Sequence, residues 1–394
     1  MPAVSFPMRC MRSSHPFLAD VTDTLEDVSP DVRRSPQSTV RNSVFSLLKQ
    51  AVFRAARDTG TFKLVAASSW RRHRLLILCY HGTSLDDEHE WDGALYMAPE
   101  RLRERCETLR RGGYAVLPLD EGLRRMYDGT LPPRAVSLTF DDGTYDFFAR
   151  AVPILRDFGF SATVYVPTYY TRFQRPVFDP MVSYLAWKGR DRMVCDASGL
   201  ATGSEPLKIA SPEERAITAI RISAAARDGR LGALAKDNLL RSFAERIGVD
   251  YDSLLARRIL HLMTHEELAT LPRALIDVQL HSHRHRSPLD ETLFTRELID
   301  NRRELSAALG RLTVLRHFCY PSGKHVPAFL PWLRAAGIES ATTCEPGLAR
   351  RAHDPLLLPR FVDGMGQSSL TFEAWASGFA ELLPRRTRAP AVIA

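Results

Sequence analysis

The clearest pattern in the chain is a series of short, continuous apolar runs, each ending abruptly in polar residues. Leu75-Leu76-Ile77-Leu78-Cys79-Tyr80 is the first. Such a run has no polar face, so it reads as a strand buried on both sides, as in a parallel sheet covered by helices. Further strands are predicted at Ala115 to Pro118, Ala135 to Phe140, Ala162 to Val166, Asp277 to Leu280, Phe318 to Tyr320, Ser340 to Thr343 and Leu357 to Phe361. Helical patterns fall between them. Pro99 to Arg110, Asp146 to Phe158 and Val326 to Ala336 each run into glycine, a C-cap signal, and Pro153 predicts a kink or a late start in the second. Alternating strand and helix predict parallel βα units, hence an α/β barrel.

The regular alternation is interrupted between about 175 and 270. Ser211-Pro212-Glu213-Glu214 and Thr264-His265-Glu266-Glu267 carry capping-box signatures there. A stretch this long is too much for a plain connection and predicts a helical subdomain beside the barrel. Residues 1–73 read as a Ser/Pro-rich arm followed by a helix, and 366–394 as a C-terminal tail. Val44 to Ala56 is amphipathic and basic. It suits either packing on the main domain, the favoured reading, or contact with a membrane surface.

At 394 residues the chain is long enough for one barrel with insertions. Its 45% hydrophobic and 25% charged residues are those of a globular protein. The formal net charge of +7 is spread along the chain, the densest clusters being Arg71 to Arg74 and Arg385 to Arg388. Nucleic-acid binding is not expected. Six scattered cysteines (Cys10, Cys79, Cys106, Cys195, Cys319 and Cys344) lack any C-x-x-C spacing and suggest neither a zinc ribbon nor a disulfide framework. The N-terminus shows no secretory pattern and no run reaches transmembrane length, so a cytoplasmic location, with peripheral contact at the inner membrane face, is the expectation.

Two strand ends carry the chemistry. Ser137 to Phe140 runs into Asp141-Asp142-Gly143, and in a parallel barrel the C-terminal ends of strands form the catalytic rim. Successive extended residues point in different directions, so the two aspartates are suited to different tasks. Val278 to Leu280 runs into His281-Ser282-His283-Arg284-His285. Imidazole is a common metal ligand, and His281 and His285 converge on one ion if the backbone turns after the strand. Alternation alone would put His281 and His283 on one face, which leaves His283 as a rival.

Together, Thr139-Phe140-Asp141-Asp142-Gly143 and His281-Ser282-x-x-His285 resemble the first two motifs of the polysaccharide deacetylase family. Leu78 to Gly82 is similar to that family's opening strand. The resemblance implies a distorted (β/α)7 TIM-like barrel, spanning 74–365, and removal of acetyl groups from an acetylated sugar or polysaccharide. It also implies a divalent metal, zinc first, held by Asp142, His281 and His285, with Asp141 as base. Tyr320-Pro321-Ser322 stands where the family's third motif contacts substrate, but Cys319 replaces the arginine that orients the base. Arg360, at a late strand end, is the substitute expected. The family's late histidine acid is missing too, which leaves His81 first and then His283, His325 and His353 as candidates. Two-His, one-carboxylate ligand sets also serve non-haem iron enzymes, but those are usually antiparallel barrels. A hydrolase of a non-sugar C–N bond and an inactive carbohydrate-binding relative are the other readings.

Overall fold

The computed structural model describes residues 36–384 apart from 173, 193, 204, 311 and 312, with the side chains of 36–46 and 193–195 left out. Its centre is a nine-stranded sheet: β1 (Arg74–Tyr80), β2 (Ala115–Val116), β3 (Ala135–Phe140), β4 (Ala162–Val166), β5 (Ile276–Leu280), β6 (His317–Cys319), β7 (Ser340–Thr342), β8 (Ala349–Arg350) and β9 (Phe361–Val362). The order is β7-β6-β5-β4-β3-β1-β8, with β9 also on β1 and β2 on β3. Only β8 is antiparallel to its neighbour.

The sheet curls until the chain between Leu358 and Val362 fills the gap. Leu358 bridges β7, its N–H donating to Ala341 O at 3.0 Å, and Phe361 and Val362 pair with Leu78 and Cys79 of β1. Counting that segment, the ring has seven staves, a distorted (β/α)7 barrel. Two expected strands differ. Ala115 to Pro118 is a two-residue stub off the ring, and Leu357 to Phe361 is split at Pro359, which has no N–H to continue a ladder.

β1 and β3 are buried along almost their whole length, as uninterrupted apolar runs require. The longer helices, in chain order, are α1 (Pro36–Asp58), α2 (Thr61–Ala67), α3 (Pro99–Arg111), α4 (Leu119–Asp128), α5 (Val152–Phe158), α6 (Phe178–Lys188), α7 (Pro212–Asp228), α8 (Ala233–Ile247), α9 (Tyr251–Ala256), α10 (His265–Thr270), α11 (Glu291–Leu309), α12 (Phe329–Ala335) and α13 (Ser369–Ser377). Pro153 sits in the first turn of α5, preceded by a π-turn over Phe147–Ala151, so the late start is realised. Both capping boxes form, at Ser211 with Glu214 and at Thr264 with Glu267.

Helices α6 to α9 pack around their own apolar centre, which includes Met181, Tyr184, Leu185, Ile222, Phe243 and Tyr251. That centre ends at Leu260, and Met263 and Leu268 already belong to the barrel core. The insertion is therefore shorter than expected at its C-terminal end.

The 366–394 segment is not a tail throughout. Its α13 buries Phe372 and Trp375, the latter stacked on Phe361 with centroids 4.9 Å apart. Phe379 meets Phe53 of α1 and Phe62 of α2, and Gln50 donates to Thr371 at 2.9 Å. The two ends of the described chain thus close on each other. The arm over 1–35 and the basic run at 385–388 lie outside the described residues. Cys10 and the side chain of Cys195 do as well; Cys79, Cys106, Cys319 and Cys344 are free thiols.

Candidate metal centre

β3 delivers Asp141 by continuing its ladder, the Asp141 N–H donating to Tyr80 O at 2.9 Å. The next two residues leave the strand in the left-handed region, Asp142 at φ 70° and Gly143 at φ 58°. A side chain on Gly143 would start 2.8 Å from Val166, so the turn is tight as well as left-handed. This turn aims the two carboxylates at different neighbours. The returning end of the insertion holds it in place: Met263 N–H donates to Gly143 O at 2.9 Å, and Tyr145 N–H to His261 O at 2.8 Å. Thr144 bridges Leu262, and the Arg258 guanidinium lies 3.9 Å from the Tyr145 ring centre.

β5 delivers His281, whose Nδ1 donates to Cys319 O at 2.9 Å and so turns Nε2 toward Asp142. Ser282 then takes φ 58° and His285 φ 54°, which breaks strand alternation. Asp142 Oδ1 lies 3.3 Å from His281 Nε2 and 3.2 Å from His285 Nε2. All three ligand atoms fall within 4.8 Å of one another. Two ligand atoms each roughly 2.0–2.1 Å from a tetrahedral zinc stand about 3.3 Å apart, so this donor set and spacing fit such an ion. Asp142 keeps 28% of its side chain exposed and His285 36%, so the group is open to the barrel mouth. His283 is not in it. Its Nδ1 lies 2.9 Å from Thr168 Oγ1, on the far side of the turn.

Asp141 is buried and held by Arg360 through a two-pronged pair, Nη1 to Oδ1 at 2.8 Å and Nη2 to Oδ2 at 2.7 Å. Arg360 in turn donates to Thr139 Oγ1 and Thr343 O, so every face of the guanidinium is occupied. Burial pushes the Asp141 carboxyl up, but the Arg360 charge and hydrogen bonds outweigh it and hold the group well below the usual carboxylate range. Cys319, at the position of the expected arginine, places its thiol 3.4 Å from Asp141 Oδ2, and Cys79 lies at 3.5 Å. Burial raises both thiols well above their ordinary value, so they stay neutral donors.

His81 Nε2 is 3.8 Å from Asp141 Oδ2 and its side chain is 16% exposed. Its buried Nδ1 has no hydrogen-bond partner among the described residues. His353 stands near Arg350 of β8, beside the N-terminal end of β1, and is at the wrong end of the barrel for an acid. The third-motif segment also differs from expectation. The Tyr320 side chain is buried in the core, its hydroxyl donating to Leu356 O at 3.0 Å, and its N–H is spent on Thr342 O. Neither is free to meet substrate. Pro321 is buried too, whereas Ser322 is exposed at φ 55°.

Sequence reasoning passed over four residues that hold this arrangement: Thr139 on Arg360, the Cys79 thiol on Asp141, and Thr168 and Asn301 behind the histidines. Asn301 carried a signal. It is a polar residue on the buried stripe of Phe294, Leu298 and Leu305.

Residues 128–183 match the polysaccharide deacetylase family. A poly-β-1,6-N-acetyl-D-glucosamine N-deacetylase of Escherichia coli K12 is 32% identical over 101 residues, 25% of this chain. The matched part spans 15% of that protein's length. Among solved structures, the Streptococcus pyogenes deacetylase PplD in complex with acetate superposes at a TM-score of 0.49 with 18% identity, covering 76% of this chain and 96% of that one. IcaB from Ammonifex degensii gives a TM-score of 0.48 with 17% identity, covering 77% and 97%.

Proposed function

We propose that this chain is a metal-dependent hydrolase that removes acetyl groups from an N-acetylated sugar or polysaccharide. One observation carries the reading: three groups able to ligate a metal, the buried His281 and the partly exposed Asp142 and His285, adjoin a buried, arginine-paired carboxylate, Asp141, at the C-terminal rim of a parallel barrel. The match to the deacetylase family over 128–183 supports the reaction class, and the N-deacetylase of Escherichia coli supports an N-acetylated sugar over a non-sugar C–N bond.

A divalent ion, zinc first, held by Asp142, His281 and His285 would polarise the amide carbonyl and make water more acidic. Asp141, ionised throughout the working range, would accept the proton of the attacking water. The water oxygen bonds to the acetyl carbon, the C–N bond breaks, and acetate and a free amine leave. Arg360 keeps the carboxylate in a single orientation, which limits reorganisation when the proton arrives. His81, on the open side of Asp141, is the group proposed to return a proton to the leaving nitrogen.

The purified protein should hold one divalent ion per chain, measured by elemental analysis, and release acetate from N-acetylglucosamine oligomers. A strong chelator should abolish release, and added zinc or cobalt should restore it. Stoichiometric metal with release only from non-sugar amides would favour the alternative hydrolase. Protein with neither metal nor activity, in which Asp142→Ala leaves sugar binding unchanged, would favour a non-catalytic carbohydrate-binding role.

A second observation bears on where such an enzyme would work. Among the described residues no helix is long and apolar enough to cross a membrane. Yet α1, which buries Phe53 and Ala56 on the barrel, turns Leu47 and Leu48 to solvent at 70% and 62% exposure. From Leu47 to Arg74 the chain has seven basic residues, of which Arg71 is buried, and one acid, Asp58. We propose peripheral contact with an anionic membrane surface through this face. The protein should co-sediment with vesicles containing phosphatidylglycerol, less so with Leu47→Asp/Leu48→Asp, and not with neutral vesicles. Equal recovery with both vesicle types would remove the proposal.

A further inference from the structure

We infer that Asn301, acting with Thr168, is a positioning residue that selects which histidines of the His281–His285 turn face the metal-ligand group. The inference rests on the metal-site reading above. It concerns residues that touch neither ligand oxygen nor substrate.

β4 and β5 pair in parallel register as far as Val166 and Leu280, and both strands then end. At that point the buried Asn301 side chain, projecting from α11, takes over the pairing. Its Oδ1 accepts from the His281 N–H at 2.9 Å, and its Nδ2 donates to Val166 O at 2.9 Å and to Thr168 Oγ1 at 3.0 Å. A main-chain N–H only donates and a carbonyl oxygen only accepts, so the amide has one orientation available. Both of its donors and its acceptor are used within this one junction. Aspartate there would lose both donated bonds, and leucine of similar size would lose all three.

Thr168 extends the device to the unused histidine. Its Oγ1 lies 2.9 Å from His283 Nδ1, its N–H donates to His283 O at 3.1 Å, and Tyr169 N–H donates to the same carbonyl at 2.8 Å. An extended strand would put His281 and His283 on one face. Here Ser282 at φ 58° reverses that, with its hydroxyl accepting from Arg286 N–H at 2.9 Å. Glu297, one turn before Asn301 on α11, accepts from the Arg284 N–H at 2.7 Å and from the Arg284 and Arg286 guanidinium groups at 2.9 Å each. Helix α11 thus fixes the start of the turn through Asn301 and its far side through Glu297. With His283 tied to Thr168 and Tyr169 just past β4, His285 is the second imidazole left to Asp142.

The test measures zinc affinity by competition with a chromophoric chelator, together with the visible absorption spectrum of the cobalt-substituted protein and the melting temperature of the metal-free protein. Groups that orient metal ligands typically change affinity 10–100-fold when removed. Asn301→Leu and Thr168→Val are each expected to weaken zinc by about 10–100-fold and to alter the cobalt spectrum, whereas Thr168→Ser, which keeps the hydroxyl, should match wild type in both. A purely structural role would lower the melting temperature without changing the cobalt spectrum of the folded fraction, and that result overturns the inference. So do folded variants with wild-type zinc affinity. If Asn301→Leu does not fold, Thr168→Val decides alone. Wild-type protein that binds neither ion overturns the metal-site reading and this inference with it; tight wild-type binding with unchanged variants overturns the inference only.

Discussion

Asp141→Asn is expected to slow acetate release by about 10²–10⁴-fold, the usual contribution of a positioned proton acceptor, without lowering the metal content of the protein. The amide keeps the size of the carboxylate and can still accept one bond from Arg360, but it cannot take a proton from water. Asp142, whose oxygen meets both imidazoles, is untouched by the change. Metal analysis and turnover measured on the same preparation separate the two aspartates. A variant with full metal and at least a third of wild-type turnover would remove Asp141 from the mechanism. One that loses metal would mean that the tasks of Asp141 and Asp142 are not divided as proposed.

Arg360→Leu should have the largest effect on stability. Asp141 would be left charged and buried without its guanidinium partner, and breaking a buried pair in this way typically costs about 3–5 kcal/mol. The cost should depend on pH. In the wild-type protein the native carboxyl is held low, so the pair's contribution is present above the unfolded carboxylate's pKa of about 3.9 and fades only as pH falls through the depressed native value. In the variant, burial without a partner raises the native carboxyl. Stability is then best retained below the unfolded value and is lost as pH rises through the raised native one. Urea unfolding of both proteins at pH 7 and near pH 4 should therefore show a wide gap at neutral pH and a narrower one in acid. An equal gap at both would mean that the destabilisation comes from lost packing rather than from the stranded charge.

The parts of the molecule legible in the sequence are those fixed by local physics. The buried runs of β1 and β3 have no polar face to hide, and the capping boxes at Ser211 and Thr264 satisfy their own helix ends. Asp141, Asp142, His281 and His285 stood out because polar clusters at the ends of apolar strands have no packing role. What was not legible depends on contacts distant in sequence or on single backbone angles. The choice of His285 over His283 turns on Ser282 adopting a positive φ, which no side-chain periodicity encodes. Tyr320 reads as a rim residue from its motif, but Phe318, Phe329 and Leu356 surround it with core. The C-terminal helix reads as a tail because its partners, α1 and α2, lie some 300 residues earlier. Arg360 could be nominated only because an arginine was missing elsewhere, and its two bonds to Asp141 bridge 219 positions.

The returning end of the insertion makes two backbone hydrogen bonds with the Gly143 to Tyr145 turn, donating from Met263 N–H to Gly143 O and accepting at His261 O from Tyr145 N–H, and lays Arg258 across Tyr145. The excursion between β4 and β5 is therefore a buttress for the loop that carries Asp142, not a detachable module. A shortened chain that kept Thr168 and crossed back to Ile276 through a single helix would keep every barrel strand, yet the Asp142 loop would have lost its outer wall. Changes inside the insert's own apolar centre, far from Asp142, have a mechanical route to the spacing between Asp142 and the two histidines proposed to share an ion with it.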